Sequence, residues 1–174
     1  MEYEFRLKFS LAGEIAPDMD RIVEYLGAAG CNDALVGTGQ AGRIALDFTR
    51  EAASAKQAVF SALEDVRRAI PTAKLIEVAP DFVGLSELAE LIGVSRQNMR
   101  KLSIAHKDTF PIAMHEGSAA LWHLSPILLW LKERAYPIKQ SLLDTAYIAM
   151  QINLAKEARQ IEHQVQTEAL EFVA

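Results

Sequence analysis

The chain has 174 residues, of which 51% are hydrophobic and 24% charged, and its formal net charge is −5. These proportions are typical of a globular protein and exclude a disordered or collagen-like chain. No apolar run reaches the ~20 residues that a bilayer requires, and the first residues lack the apolar core of an export signal, so we expect a cytoplasmic protein with no membrane partner.

Six elements are predicted in a first domain over residues 1–80. Tyr3–Leu11 alternates apolar and polar side chains, which is typical of a strand with one buried face. Asp18–Ala29 and Glu51–Ile70 carry apolar side chains at helical spacing. Further strands are predicted at Ala34–Val36, Arg43–Thr49 and Lys74–Ala79. The order β-α-β-β-α-β predicts an α+β fold with a ferredoxin-like domain, in which two helices pack on a four-stranded antiparallel sheet.

The segment Gly37–Gly42, GTGQAG, matches the G-x-G-x-x-G pattern of dinucleotide sites. A phosphate-binding loop of that kind opens a helix, whereas the next residues here, RIALDFT, alternate as a strand. We therefore interpret the segment as a hairpin turn. The predicted outer face of the sheet lacks the aromatic side chains that RNA binding requires. A protein partner or a small-molecule effector, such as ACT-like regulatory domains bind, is left open for this domain.

A second domain is predicted over residues 81–137, and its first part, Leu85–Leu102, contains two short helices. Gly93 marks a tight turn between them, and Ser95 is placed to cap the second helix. The apolar spacing resembles a helix-turn-helix, a motif whose second helix enters the major groove of DNA. The stretch Ser95–Lys107 contains four basic residues and no acidic residue.

The resemblance implies that the second helix reads double-stranded DNA. Arginine can bond guanine at two positions, and glutamine or asparagine can bond adenine in the same way. Serine at the helix start and the lysines would lie near phosphates. The predicted DNA-binding residues are Ser95, Arg96, Gln97, Asn98, Arg100, Lys101 and Lys107.

The resemblance extends over about Phe82 to Arg134, where the chain is similar to MerR-type and excisionase-like winged helix domains. Phe110-Pro111 would lead into the wing, two short strands around Gly117 would form it, and a helix would begin at Ser125-Pro126. The wing tip, EGSAA, lacks the basic residue that usually contacts phosphate there.

Three side chains would have to supply the missing phosphate contact of the wing, namely His115, Ser118 or His123. Trp122 and Trp130 are expected in the core rather than on a stacking surface. The histidines and the single cysteine, Cys31, show no metal-ligand spacing, so we expect no metal or other cofactor and a buried Cys31.

Residues 138–174 predict one long helix, since Lys139–Phe172 contains no Gly or Pro and has an apolar stripe. At 1.5 Å per residue this stripe would extend about 50 Å, longer than a small domain can cover. In MerR-like regulators a helix in this place forms an antiparallel coiled-coil dimer, which implies a homodimer here. The alternative is a helix that folds back on its own first domain. The predicted dimer contacts are Tyr147, Met150, Leu154, Ile161 and Val165.

The leading hypothesis is a sequence-specific, dimeric DNA-binding transcriptional regulator, a repressor or autoregulator of prokaryotic or phage type, that reads DNA with the helix starting at Ser95. We expect no catalysis, because no catalytic motif can be recognised. The alternative is a protein-interaction adaptor, such as an antitoxin or inhibitor, with secondary DNA binding. A third class, an enzyme that binds a nucleotide at GTGQAG, would require nucleotide binding that Gly39→Ala weakens.

Overall fold

The computed structural model describes residues 1–11 and 18–173 and has a mixed α+β fold, as predicted. The first unit comprises β1 (Glu2–Ser10), α1 (Met19–Ala28), β2 (Ala34–Gly37), β3 (Arg43–Glu51), α2 (Ala55–Ala69) and β4 (Lys74–Ala79). The second unit comprises β5 (Phe82–Val83), α3 (Leu85–Ile92), α4 (Arg96–Ala105), β6 (Trp122–His123) and α5 (Leu124–Glu133). Two C-terminal helices follow, α6 (Gln140–Ala158) and α7 (His163–Leu170).

The first unit is a four-stranded antiparallel sheet in the order β2-β3-β1-β4. The alternation in β1 decides which face is buried, because Phe5, Leu7 and Phe9 pack with α1 and α2 while the residues between them face outward. Phe5 stacks on Phe48 of β3, with ring centroids 5.1 Å apart. The predicted hairpin is confirmed, since β2 and β3 pair across the Gly-rich turn.

Side-chain caps fix where the helices of the first unit begin. Asp18 accepts a hydrogen bond from the Arg21 N–H at 3.3 Å and starts α1 at the predicted place. Ser54 accepts from the Gln57 N–H at 3.2 Å, so α2 begins at Ala55 and not at Glu51, which still belongs to β3.

Arg50 is a buried cation at the end of β3. Its guanidinium donates hydrogen bonds to the carboxylates of Asp33 and Asp65 at 2.7–2.9 Å and lies over the ring of Phe48. The bonds to Asp33 raise the pKa of Arg50 above its ordinary value. Burial raises the pKa of the neighbouring Cys31 thiol to about 11, and the thiol is buried as predicted.

The second unit has an apolar core of its own, built around three aromatic rings. Phe110 meets Trp122 and Trp130 edge-on, with centroids 6.1 and 5.1 Å apart. The Trp122 indole N–H donates to the carbonyl of Pro111 at 3.0 Å. Because Trp122 and Trp130 are only 9% and 6% exposed, their predicted place in the core is confirmed.

The segment between α4 and α5 contains less strand than predicted. The two strands around Gly117 do not form, and that prediction is wrong: His115 and Leu121 make one isolated antiparallel bridge. The intervening residues are small or polar, and residues 116–119 are exposed, so a longer ribbon would have little apolar surface to bury. The helix that follows begins at Leu124, one residue before the predicted start, and Ser125 does not cap it.

Helix α6 joins the two units. Leu143 and Ala146 in its first half belong to the core of the second unit, and Ala149 in its second half belongs to the core of the first. For α6, therefore, the alternative in which the C-terminal helix folds back on the first domain is confirmed.

The prediction of one continuous helix to Phe172 is wrong, because α6 ends at Ala158 and α7 begins at His163. The last hydrogen bonds between α6 and the sheet are made by Asn153 and Lys156. Every residue from 157 to 165 is exposed. A helix that loses its packing surface depends on propensity alone, which seldom sustains it in water.

Candidate nucleic-acid interface

The helices α3 and α4 and the turn between them form where the spacing predicts. Gly93 ends α3 with a φ of +74°, a left-handed conformation that glycine adopts without a steric penalty. Ser95 then caps α4, because its hydroxyl accepts a hydrogen bond from the Asn98 N–H at 3.1 Å. The candidate reading helix therefore begins at Arg96.

The inward side of α4 holds it against α3. Met99 is buried together with Leu88 and Ala89 of α3, and Leu102 is half-buried on the same side, as predicted. The methyl side chain of Ala89 lets the two helices approach closely. Because the core occupies this side of α4, the rest of the helix surface faces solvent.

The predicted DNA-binding residues all lie on this exposed surface or just beyond it. They are Ser95, Arg96, Gln97, Asn98, Arg100, Lys101 and Lys107. Apart from the capping hydroxyl of Ser95, none of their side chains has a hydrogen bond or ion pair with residues 1–11 or 18–173. The structure thus brings the predicted set together on one short helix and its C-terminal extension.

Three cations and no acidic residue lie on α4. Arg96 and Arg100 are four residues apart, so both lie on one face of the helix. An unpaired guanidinium offers a planar fork of N–H donors that matches two acceptors on a base edge or a phosphate. The surface of α4 is chemically suited to a polyanion.

A shallow groove of about 280 Å³ lies beside α4. Asn98 and Lys101 of α4 line it, and so does Tyr136 from the turn between α5 and α6. Sequence reasoning did not select Tyr136, because helical spacing relates residues within one helix and carries no information about a turn that folds against it.

His123, one of the three side chains considered for a phosphate contact by the wing, has its partners inside the molecule. Its Nδ1 forms a hydrogen bond of 2.8 Å with the carboxylate of Asp81, and its ring packs on Phe82 with centroids 5.5 Å apart. His115 and Ser118 remain exposed in the wing region.

A buried polar network holds the second unit against the sheet, and sequence reasoning missed it. The Asn153 side chain of α6 accepts from the Val78 N–H at 2.9 Å and donates to the Val78 carbonyl at 2.8 Å, as a neighbouring strand would. It also donates to Asp81 at 2.8 Å, and Asp81 bonds His123. The sequence signal that could have indicated this network was a polar residue, Asn153, on the inward side of α6. Because these partners come from both units, they join α6 and β4 to the start of the second unit and to β6.

A larger cleft of about 880 Å³ opens between the outer face of the sheet and the second unit. Arg6 and Asp47 line it from the sheet, and Leu91 and Leu142 line it from the other side. Its volume lies in the range of ~300–1,000 Å³ that is typical of small-molecule sites. The small-molecule effector left open by the sequence stays a prediction, and this cleft offers it space.

Four of the five predicted dimer contacts are exposed; they lie on α6, on α7 and in the turn between these helices. Tyr147 and Leu154 are 49% and 46% exposed, and Ile161 and Val165 are 47% and 54% exposed. Met150 is half-buried. The helix thus uses different residues to pack on its own chain from those predicted to meet a partner.

No family model, curated protein or solved structure matches this chain. In the described ranges, no helix is long and apolar enough to cross a membrane. Nor do three or more His, Cys, Asp or Glu side chains of those residues come together as a metal ion would require. Function has to be inferred from the residues and geometry of the chain itself.

Proposed function

We propose that the protein is a sequence-specific DNA-binding transcriptional regulator, acting as a repressor or autoregulator, and that α4 reads the major groove of double-stranded DNA. The observation that carries this proposal is the exposed surface of α4, whose cations have no partner among the described residues. Phosphate-rich DNA is the polyanion that such a helix fits best, since it combines charge with base edges that arginine can bond.

A winged helix-turn-helix layout, similar to that of MerR-type and excisionase-like domains, is part of the proposal. The order β5, α3, α4, β6, α5 and the tight turn at Gly93 support it. The weak wing, reduced to one bridge, is its least typical feature. For the first unit we propose a ferredoxin-like domain, which the element order and the sheet order β2-β3-β1-β4 support.

Four side chains of α4 would read bases in this proposal. Arg96 and Arg100 lie on one face and would bond guanine, while Gln97 and Asn98 would bond adenine. The N-terminal end of α4 would approach a phosphate, because its free N–H groups and helix dipole favour an anion.

A homodimer is also proposed, because one α4 makes few phosphate contacts and a second copy doubles them. Helix α7 has eight residues and none of its side chains is buried. A helix this short is marginal in water unless a partner covers it. The exposed stripe that includes Leu154 and Val165 is where a second copy would pack.

Selection of bound sequences from a random duplex pool tests the proposal. We expect enrichment of one inverted repeat, since a two-fold symmetric dimer reads two half-sites. The matched control is Arg96→Ala/Arg100→Ala, which should enrich nothing. Failure of the wild-type protein to enrich any sequence would overturn the regulator assignment.

The adaptor alternative draws support from the same exposed stripe, which a different protein could cover instead of a second copy. Sedimentation of the purified chain separates the two cases. A dimer favours the regulator, whereas a monomer that enriches no DNA sequence favours the adaptor.

A further inference from the structure

The groove beside α4 is lined by side chains that carry hydrogen-bond donors and by apolar side chains. Its polar lining consists of Asn98, Lys101 and Tyr136, and Met99 and Leu102 contribute apolar surface. Among the described residues, no acidic side chain lines it. The side chains of Lys101 and Tyr136 have no hydrogen bond or ion pair elsewhere in residues 1–11 and 18–173. The groove therefore offers an ammonium and a phenol to a ligand with negative oxygen atoms and some carbon surface.

A strained turn holds Tyr136 against the groove. The Tyr136 N–H donates to the Leu131 carbonyl at 3.2 Å, and the Ala135 N–H donates to the Lys132 carbonyl at 3.0 Å, which is the bonding pattern of a Schellman motif. Ala135 occupies the left-handed position of this motif with a φ of +62°, where glycine is usual. This turn reverses the chain at the end of α5 and brings the tyrosine back to α4.

The size of the groove limits what can occupy it. About 280 Å³ is below the ~300 Å³ at which sites for drug-sized molecules begin, and the groove is open along α4. A single deoxyribose with its phosphate has the required chemistry, because the phosphate oxygens match the ammonium and the phenol and the sugar carbons match the apolar lining residues.

We infer that the groove seats one sugar–phosphate unit of the DNA backbone, with Lys101 and the hydroxyl of Tyr136 bonding its phosphate. This inference rests on the proposed function, because the groove can bind a backbone phosphate in this way only when α4 lies in the major groove. It adds Tyr136, a residue outside the helix-turn-helix, to the DNA-contacting set. A contact of this kind fixes the position of the protein along the duplex but carries no sequence information.

The test uses the full chain and the duplex enriched from the random pool, together with an unrelated duplex of equal length. Tyr136→Phe removes only the hydroxyl, and Tyr25→Phe is its matched control on α1, far along the chain from the reading helix. We expect Tyr136→Phe to weaken binding to both duplexes about tenfold and by the same factor, because a bond to a charged phosphate is lost without any change in base preference. Tyr25→Phe should bind as the wild type does.

Salt dependence gives a second measurement. Lys101→Met should lower the slope of log K against log salt by about 0.9 on both duplexes, while Lys56→Met on α2 should leave the slope unchanged. Suppose that wild-type protein enriches a sequence, but Tyr136→Phe binds within twofold of wild type and Lys101→Met keeps the full slope. The sugar–phosphate contact in the groove is then refuted, and the regulator assignment stands. If the wild type enriches no sequence, both are refuted.

Discussion

The cations of the first unit and those of α4 differ in what surrounds them. On the outer face of the sheet, Arg6 forms a two-point ion pair with Asp47, and Lys8 donates to Glu77 at 2.9 Å. On α4, by contrast, no cation has a carboxylate partner among the described residues. The sheet places opposite charges across neighbouring strands, whereas the short helix concentrates charges of one sign.

The difference separates charges that stabilise the fold from charges that are free to bind. A paired cation has its hydrogen-bonding capacity used inside the molecule, and removing it leaves a carboxylate unpaired. An unpaired surface cation contributes little to stability, and its removal changes only what the surface attracts. Substitutions in the two regions should therefore affect different measurements.

The largest effect is expected for Arg50→Met in the first unit. Removing this buried cation takes away the ion-pair partner of Asp33 and leaves Asp65 with only the exposed Arg68, 3.5 Å away, so the free energy of unfolding should fall by about 3 kcal/mol. Urea denaturation followed by circular dichroism measures this fall. A loss below about 1 kcal/mol would contradict the structural role of the ion pairs that Arg50 makes. The control is Arg6→Met, which removes an exposed ion pair.

Arg96→Ala/Arg100→Ala should show the opposite pattern. Affinity for the enriched duplex should fall at least about thirtyfold, since each base-contacting arginine is worth about 1–3 kcal/mol. The free energy of unfolding should stay within about 0.5 kcal/mol of wild type, because both side chains are exposed. Gel shift and urea denaturation are the measurements, with Arg6→Ala/Lys8→Ala as the control pair. Unchanged binding would defeat the assignment of α4 as the reading helix.

A smaller effect is expected at Lys107, which lies beyond the end of α4. Lys107→Ala should lower the slope of log K against log salt by about 0.9 through the loss of one phosphate contact. Lys8→Ala, whose cation is already paired with Glu77, should leave the slope as it is. Fluorescence anisotropy titrations over a range of salt concentrations measure both slopes; equal slopes would remove Lys107 from the interface.

The last prediction concerns the reactivity of the Cys31 thiol, beside the Arg50 network, and involves no substitution. With the pKa of its thiol raised from 9.0 to about 11, the thiolate fraction at pH 8 falls about a hundredfold relative to the unfolded chain. Alkylation of the native protein at pH 8 should be slower by at least that factor than alkylation in denaturant. Comparable rates in the two states would show that this region opens readily.

Much of the fold could be predicted from periodicity and local signals. Lys74–Ala79 forms β4 as predicted, Asp18 caps α1, and Ser95 caps α4, because alternation and capping depend on residues close in sequence. The exposure of Arg96 and Arg100 followed from the apolar positions around them, since Met99 and its neighbours define which side of α4 is buried.

The errors arose where the outcome depended on distant residues. The stretch from Lys139 has no helix breaker, yet α6 ends at Ala158 once its contacts with the sheet end. His123 was one of three side chains considered for a phosphate contact by the wing, and it instead bonds Asp81, which lies 42 residues earlier in the chain. Tyr136 lines the groove through a turn whose direction spacing does not predict.

The sequence by itself determined the two kinds of local order, the period-two strands and the capped helices, and with them the cationic surface of α4. These depend on steric and hydrogen-bonding preferences that act over a few residues. Only the tertiary structure decided that α6 joins both cores, that Asn153 bonds the edge of β4, and which apolar residues of the C-terminal helices stay uncovered. Those outcomes depend on which buried surfaces and polar groups meet across the whole chain, and a residue's neighbours in sequence do not specify its partners in space.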